Sequence, residues 1–229
     1  MKESLGLVMD HMEAVFAAIP VKDTEESKSR LSSLLQPHER ACLTLTMLKD
    51  VVRTIFDSQA FSKVVVISSD SKILRLTSGL GTYTVRERGC DLNRAVEQVT
   101  RWCIRKGAHS TLILPSDIPL LTIEDINQLI YLSAGKRSVV VSPSNGGGTN
   151  ALFRTPSDVI PPSFGSSSFI KHLSAARSAD IKAKVYRSPS IALDIDSIND
   201  LERLLHEPRE TQTHTLLREL DISSRLRTR

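Results

Sequence analysis

Three short aliphatic runs, at residues 64–67, 111–114 and 139–141, are each bounded by Ser, Asp, Pro or Gly and separated by helix-length stretches. A run with no polar alternation has no face to give to water, so as a strand it must be covered on both sides. That is how strands of a parallel sheet between helices are written. Between the runs, residues 37–57 place Ala41, Leu45, Leu48, Val52 and Ile55 at steps of four, three, four and three, one face of a helix, with Pro37 suited to its first turn. A second helix is expected over about 91–106, turning Leu92, Ala95, Val96, Val99, Trp102 and Cys103 inward and stopping at Gly107. A third starts at a Thr122 cap and ends near Gly135. With 14–19 as a first strand and a long polar loop from Pro20 to about Ser33, the alternation predicts an α/β fold: one mostly parallel twisted sheet with helices on both faces.

Beyond Ser142 the rhythm changes to a Gly-rich loop, a short strand at 151–154, a helix near 167–177, strands at 182–186 and 191–194, and a helix at 198–206. From Glu207 the chain is polar and basic, and Leu216, Leu217 and Leu220 form its only helical stripe. At about 150 residues per domain, one domain over 1–206 is expected, with 207–229 as a tail or a subunit contact that makes a homodimer plausible.

An apolar share of 40% against 24% charged residues rules out disorder over the whole length. The net charge of +4 is too small and scattered for nucleic acid, but suits a phosphorylated small molecule. No run approaches the roughly 18 apolar residues of a membrane helix. Leu5 to Met9, broken at once by Asp10 and His11, is too short for an export signal, so the cytoplasm is the expected location and no membrane partner is expected. Cys42, Cys90 and Cys103 are odd in number and lack Cys-x-x-Cys spacing, which fits reduced thiols; zinc on Cys90, Cys103 and His109 is disfavoured for want of ligand spacing.

Ligands of open α/β sheets sit beyond the carboxyl ends of the strands, and the unusual polar residues of this chain fall there. After the first strand come Pro20, Val21 and Lys22, then Lys28 and Arg30: cations that would meet a polyphosphate together, or else a solvated charged loop. The glycine patterns of dinucleotide and Walker sites are absent. After 111–114 come Pro115, Ser116 and Asp117, then Ile118 and Pro119. Two prolines fix the aim of the carboxylate, either to hold a divalent cation or to build a tight turn.

In Leu193-Asp194-Ile195-Asp196 the alternation puts both carboxylates on one side of an extended chain. Asp196 or Ser197 could instead cap the next helix. Asp194 has no such role, and with Asp117 it offers hard oxygen donors suited to magnesium. The glycines at 146–148 allow close backbone approach to an anion, or a plain hairpin. Residues 163–169 join small hydroxyls to a helix start, an anion site or ordinary capping, and His172 one turn on reads as a surface or packing residue more than a base. Gly89 to Asn93 leads into the second helix, where Asp91 is a cap and Asn93 has an amide able to read a base or ribose.

Across these segments the chain resembles the 2-phospholactate guanylyltransferase family, which activates a three-carbon phosphoacid with GTP in the biosynthesis of coenzyme F-420. The resemblance rests on Pro20-Val21-Lys22 with Lys28-Ser29-Arg30-Leu31, Gly89 to Asn93, Pro115 to Pro119, Gly147 to Leu152, Phe164-Gly165 with Ser168-Phe169, and Leu193 to Asp196. Six weak motifs in one order are specific together. The likeness implies a nucleotide-sugar pyrophosphorylase type of fold, with magnesium on Asp117, Asp194 and Asp196. It implies a catalytic and nucleotide-binding set of Pro20, Lys22, Lys28, Arg30, Gly89, Asn93, Pro115, Ser116 and Asp117, and an acceptor held near Thr149, Gly165 and Ser168. Cys90 is a departure from the family pattern and bears on how guanine is read.

Two rivals remain from residues alone. Asp194-Ile195-Asp196 has the Asp-x-Asp form of metal-dependent glycosyltransferases, although it lies nearer the C-terminus than theirs. A nucleotide-binding module without chemistry would keep the same sheet.

Overall fold

The computed structural model describes residues 14–23, 28–89 and 91–228; the expectations placed on Leu5 to Met9 and on Cys90 fall outside them. In chain order the elements are β1 (Val15–Pro20), one 3-10 turn at Ser29–Leu31, α1 (Pro37–Asp57), β2 (Lys63–Ser68), α2 (Ser71–Gly79), β3 (Tyr83–Arg86), α3 (Leu92–Arg105), β4 (Ser110–Ile113) and α4 (Ile123–Leu132). They continue with β5 (Ser138–Pro143), β6 (Thr149–Thr155), α5 (Ser168–Ser178), β7 (Lys184–Val185), α6 (Pro189–Ala192), α7 (Ile198–Leu205), α8 (Gln212–Glu219) and α9 (Ile222–Arg227). The described strands form one sheet in the order β3-β2-β1-β4-β6-β5-β7.

All neighbours pair in parallel except β6, which runs antiparallel to both β4 and β5. The exception follows from chain length: only five residues separate β5 from β6, enough for a hairpin and too few for a crossover. The mostly parallel sheet expected from the aliphatic runs is therefore present. Val52, Ile55, Ile126 and Leu129 cover one face, against Ile19, Val66 and Leu112. Val96, Val99 and Cys103 cover the other, against Phe16, Val65 and Ile113.

Helix α1 is buried on more than the predicted stripe. Beside Leu48, Val52 and Ile55 it also buries Leu43, Met47 and Asp50. Leu43 and Met47 belong to a third cluster in which Leu31, Leu35, Leu201, Leu204, Leu217 and Ile222 have no exposed surface beyond 1%. The stretch expected as a tail is thus two helices folded onto the domain. Asp50 accepts hydrogen bonds from the Gln212 and Thr213 amides at 3.0 and 2.9 Å and from Thr213 Oγ1 at 2.6 Å, which pins the start of α8. Arg225 of α9 grips Glu39 with two nitrogens at 2.9 and 2.8 Å. Leu217 is fully buried and Leu216 and Leu220 pack against the same cluster, so the leucine stripe acts inside the chain and lends no support to a homodimer.

The stretch 191–194, expected as a strand, is not one: Pro189–Ala192 makes a single helical turn started by Ser188, whose side chain accepts from the Ile191 amide. The alternation still describes burial, since Leu193 and Ile195 face the core while Asp194 and Asp196 are half-buried. Helix α2 and strand β3 are additions to the expected elements. Among the described residues, no helix is long and apolar enough to cross a membrane.

Candidate active site

Strand β1 has β2 on one side and β4 on the other, so the crossovers leaving the carboxyl ends of β1 and β4 part there and open a crevice. Residues from both ends line one cavity of about 380 Å³: Pro20 and Lys22 after β1, then Pro115, Ser116 and Asp117 after β4. Thr149, at the start of the antiparallel strand beside β4, joins the same wall, as do Lys28, Arg30 and Asp196. Nine of the residues singled out in the sequence therefore meet in one place. Lys22 and Arg30 are exposed, with charges available to a ligand.

Lys28 is different. Its side chain is 6% exposed, and its ammonium lies 2.6 Å from Asp117 Oδ2 and 2.7 Å from Asp196 Oδ1. Burial lowers the ammonium pKa, but the charges of Asp117 and Asp196 outweigh it, so the pKa stands above that of an ordinary lysine. The backbone brings these distant carboxylates together: the Ile195 amide donates to Asp117 O at 3.0 Å, tying the segment before α7 to the loop after β4. Ser197, not Asp196, caps α7, accepting from the Asp200 amide while the Asp200 carboxylate accepts from the Ser197 amide. That leaves the Asp196 side chain to the cavity.

Asp194 is held from behind. Asn150 donates to its Oδ1 at 3.1 Å and to Ile191 O at 2.8 Å. Burial raises the carboxyl pKa of Asp194, the Asn150 bond opposes that, and the negative charges of Asp117 and Asp196 raise it further. Asp194 thus feels the field of the other two aspartates, and an ammonium lies between those two. Such a donor set suits a hard divalent cation. As they stand, no three His, Cys, Asp or Glu side chains among the described residues are close enough to hold an ion.

Behind Thr149 lies a connected set of polar side chains. Ser168 Oγ donates to Thr149 Oγ1 at 3.2 Å, and His172 Nδ1 lies 3.0 Å from the same oxygen. Gly165 takes φ +111, a left-handed value that suits glycine, and its carbonyl accepts the Ser168 amide at 3.1 Å. Two expected binding residues are placed otherwise, and of the two readings of the glycine loop the hairpin is the one present. Asn93 holds Phe164 through both amide atoms, accepting from its N–H at 2.6 Å and donating to its carbonyl at 3.1 Å, so it props the wall instead of offering a free edge to a base. Gly89 lines a separate arginine-rich groove beside α3. The glycine loop is a hairpin, with Gly148 N–H donating to Ser144 Oγ at 2.9 Å and Gly147 N–H to Ser144 O at 3.2 Å. Asn150 and His172 were not among the expected site residues: Asn150 stands at the start of the apolar run 151–153, where a polar side chain is a signal, whereas His172, between Lys171 and Leu173, carries no local signal that sets it apart. Cys103 is buried in the core, where burial pushes its thiol up to about 12 and makes it inert.

A family model described as guanylyl transferase CofC like matches residues 15–228. The phosphoenolpyruvate guanylyltransferase of Rubrobacter xylanophilus is 38% identical over 192 residues, spanning 83% of this chain and 93% of that protein. The 2-phospho-L-lactate guanylyltransferase of Methanothermobacter thermautotrophicus is 36% identical over 205 residues, 89% and 90% of the two chains. Among solved structures, a chain from Desulfovibrio desulfuricans described as a nucleotide-diphospho-sugar transferase superposes with TM-score 0.77 at 17% identity, over 95% of this chain and 98% of that one. The expected fold type is therefore present.

Proposed function

The chain belongs to the family of guanylyl transferases described as CofC like, and from that premise we propose that it joins GTP to a three-carbon phosphoacid, 2-phospholactate or its relative phosphoenolpyruvate, in coenzyme F-420 biosynthesis. An oxygen of the acceptor phosphate attacks the α-phosphorus of GTP in line. The bond from that phosphorus to the bridging oxygen breaks, and pyrophosphate leaves with the electron pair. The attacking oxygen is already ionised near neutral pH, so no protein nucleophile is required and the protein's task is positioning and charge neutralisation.

The observation that carries this reading is the buried Lys28 ammonium between Asp117 and Asp196, on the wall of a cavity that Lys22 and Arg30 also line. Lys22 and Arg30 offset charge on the triphosphate and the departing pyrophosphate. Pro20, Pro115 and Ser116 shape the nucleotide side, and Thr149 with Ser168 and Gly165 forms the acceptor side. Asp117, Asp194 and Asp196 would hold magnesium, which when bound supplies Lewis-acid polarisation of phosphoryl oxygens.

Pyrophosphate release, measured with each of the four nucleoside triphosphates against 2-phospholactate, phosphoenolpyruvate and phosphoglycerate, tests the assignment. Release that needs both GTP and one of the acids is expected. Turnover of a sugar nucleotide, or nucleotide binding without turnover, would instead support a glycosyltransferase or a binding module.

A further inference from the structure

His172 lies in the first turn and a half of α5 with none of its surface exposed. Its Nε2 accepts the backbone N–H of Ser163 at 2.9 Å. A neutral imidazole that accepts at one nitrogen carries its proton on the other, so Nδ1–H points at Thr149 Oγ1, 3.0 Å away. The same oxygen accepts from Ser168 Oγ at 3.2 Å. A hydroxyl oxygen has two lone pairs, and both are now occupied. What remains to Thr149 is its own hydrogen, on a residue that lines the cavity with Asp117 and Lys22.

We propose that His172 is a positioning residue for the acceptor: by filling a lone pair of Thr149, it makes that hydroxyl a pure donor toward an anionic oxygen of the phosphoacid. The inference rests on the guanylyltransferase reading and names how that site selects an acceptor. Two features hold the imidazole in this state. Burial, then the positive charge of the buried Arg154, push its pKa down to about 4, so it stays neutral near pH 7. The ring of Phe164 meets it edge-on at 5.0 Å and restrains its rotation. A protonated ring would turn an N–H toward the Ser163 N–H and lose that bond.

Two conservative substitutions separate positioning from mere packing. His172→Asn keeps an N–H where Nδ1 was and so keeps the bond to Thr149. His172→Gln keeps an acceptor where Nε2 was and loses that bond. In pyrophosphate-release kinetics on the full chain, His172→Gln is expected to raise the KM for the acceptor about tenfold, with kcat and the KM for GTP within twofold of wild type. His172→Asn is expected to leave all three within about threefold. Thr149→Val should reproduce the acceptor defect, and adding His172→Gln to it should change nothing further.

Equal defects in the two histidine variants, or a defect that falls on GTP, overturn the inference. A second readout does not depend on activity: in the nitrogen-15 spectrum of the folded wild-type chain, His172 should show a protonated Nδ1 and a bare Nε2. The reverse tautomer overturns the inference alone and leaves the guanylyltransferase reading standing. A wild-type chain that shows no acceptor-dependent release overturns both.

Discussion

The Lys28 ammonium sits 2.6 Å from Asp117 Oδ2, a charge-assisted bond between a lysine 6% exposed and a carboxylate 22% exposed. With Asp196 as its second partner, Lys28 neutralises carboxylates that would otherwise repel each other across the cavity. Removing one member of such a group leaves the others uncompensated, which is why the site should respond sharply to single changes.

Lys28→Met takes away the positive charge while keeping much of the side-chain volume. Turnover should fall about a hundredfold, the scale of losing one charge contact to a transition state. Calorimetry with Mn²⁺ and no nucleotide should show tighter binding than in wild type, because the carboxylates have lost their internal counter-ion. An unchanged Mn²⁺ affinity would contradict the role given to Lys28.

Asp196 and Ser197 are neighbours with separate tasks, and substitution should divide them. Asp196→Asn should lower turnover by about a hundredfold with little change in thermal midpoint. Ser197→Ala removes the side chain that accepts from the Asp200 amide at the start of α7, and should cost about 1 kcal/mol of stability with activity kept. Activity loss in the serine variant and none in the aspartate variant would reverse the assignment.

The buried neutral His172 ties stability to pH. Its pKa is about 4 in the folded chain against an ordinary 6.5, so below 6.5 the unfolded chain takes up a proton that the folded chain refuses. The contribution is complete above pH 6.5 and is lost as pH falls to about 4, amounting to roughly 3 kcal/mol. Denaturant titrations of wild type and His172→Gln across this range should show a steeper acid loss in wild type. Parallel curves would contradict a buried neutral imidazole.

The C-terminal helices should be indispensable. Asp50→Ala leaves the Gln212 and Thr213 amides without their acceptor and should cost about 1–3 kcal/mol. Ending the chain at residue 206 would uncover Leu43, Met47 and Leu204, which the C-terminal helices help to bury, and melting followed by circular dichroism should show a lower midpoint or no cooperative transition. An unchanged midpoint would contradict a structural role for these helices.

Much of this was legible beforehand, for physical reasons. Aliphatic runs at 64–67, 111–114 and 139–141 have only one stable use, in strands covered on both faces, and α1 and α4 announced themselves through Pro37 and the Thr122 cap. The site was legible because Pro20, Lys22 and Asp117 lie at strand ends, where position in sequence implies position in space. Less legible were contacts made only by the return of the chain. Nothing local in Leu43, Met47 or Asp50 says that α8 will cover them, and the stripe of Leu216, Leu217 and Leu220 announces a helix without saying whether its partner is this chain or another. Asn93 could not be told from a base reader because its partner, Phe164, is remote in sequence. His172 read as packing, and its two bonds depend on a loop and a strand that periodicity does not relate.

Acceptor-dependent pyrophosphate release from GTP by wild type and by Asp117→Ala, both shown to be folded, bears most directly on the cavity as the place of guanylyl transfer. The expected result is release that requires the phosphoacid in wild type and is lower by about a hundredfold or more in the variant. Release at near-normal rate from Asp117→Ala would contradict the account.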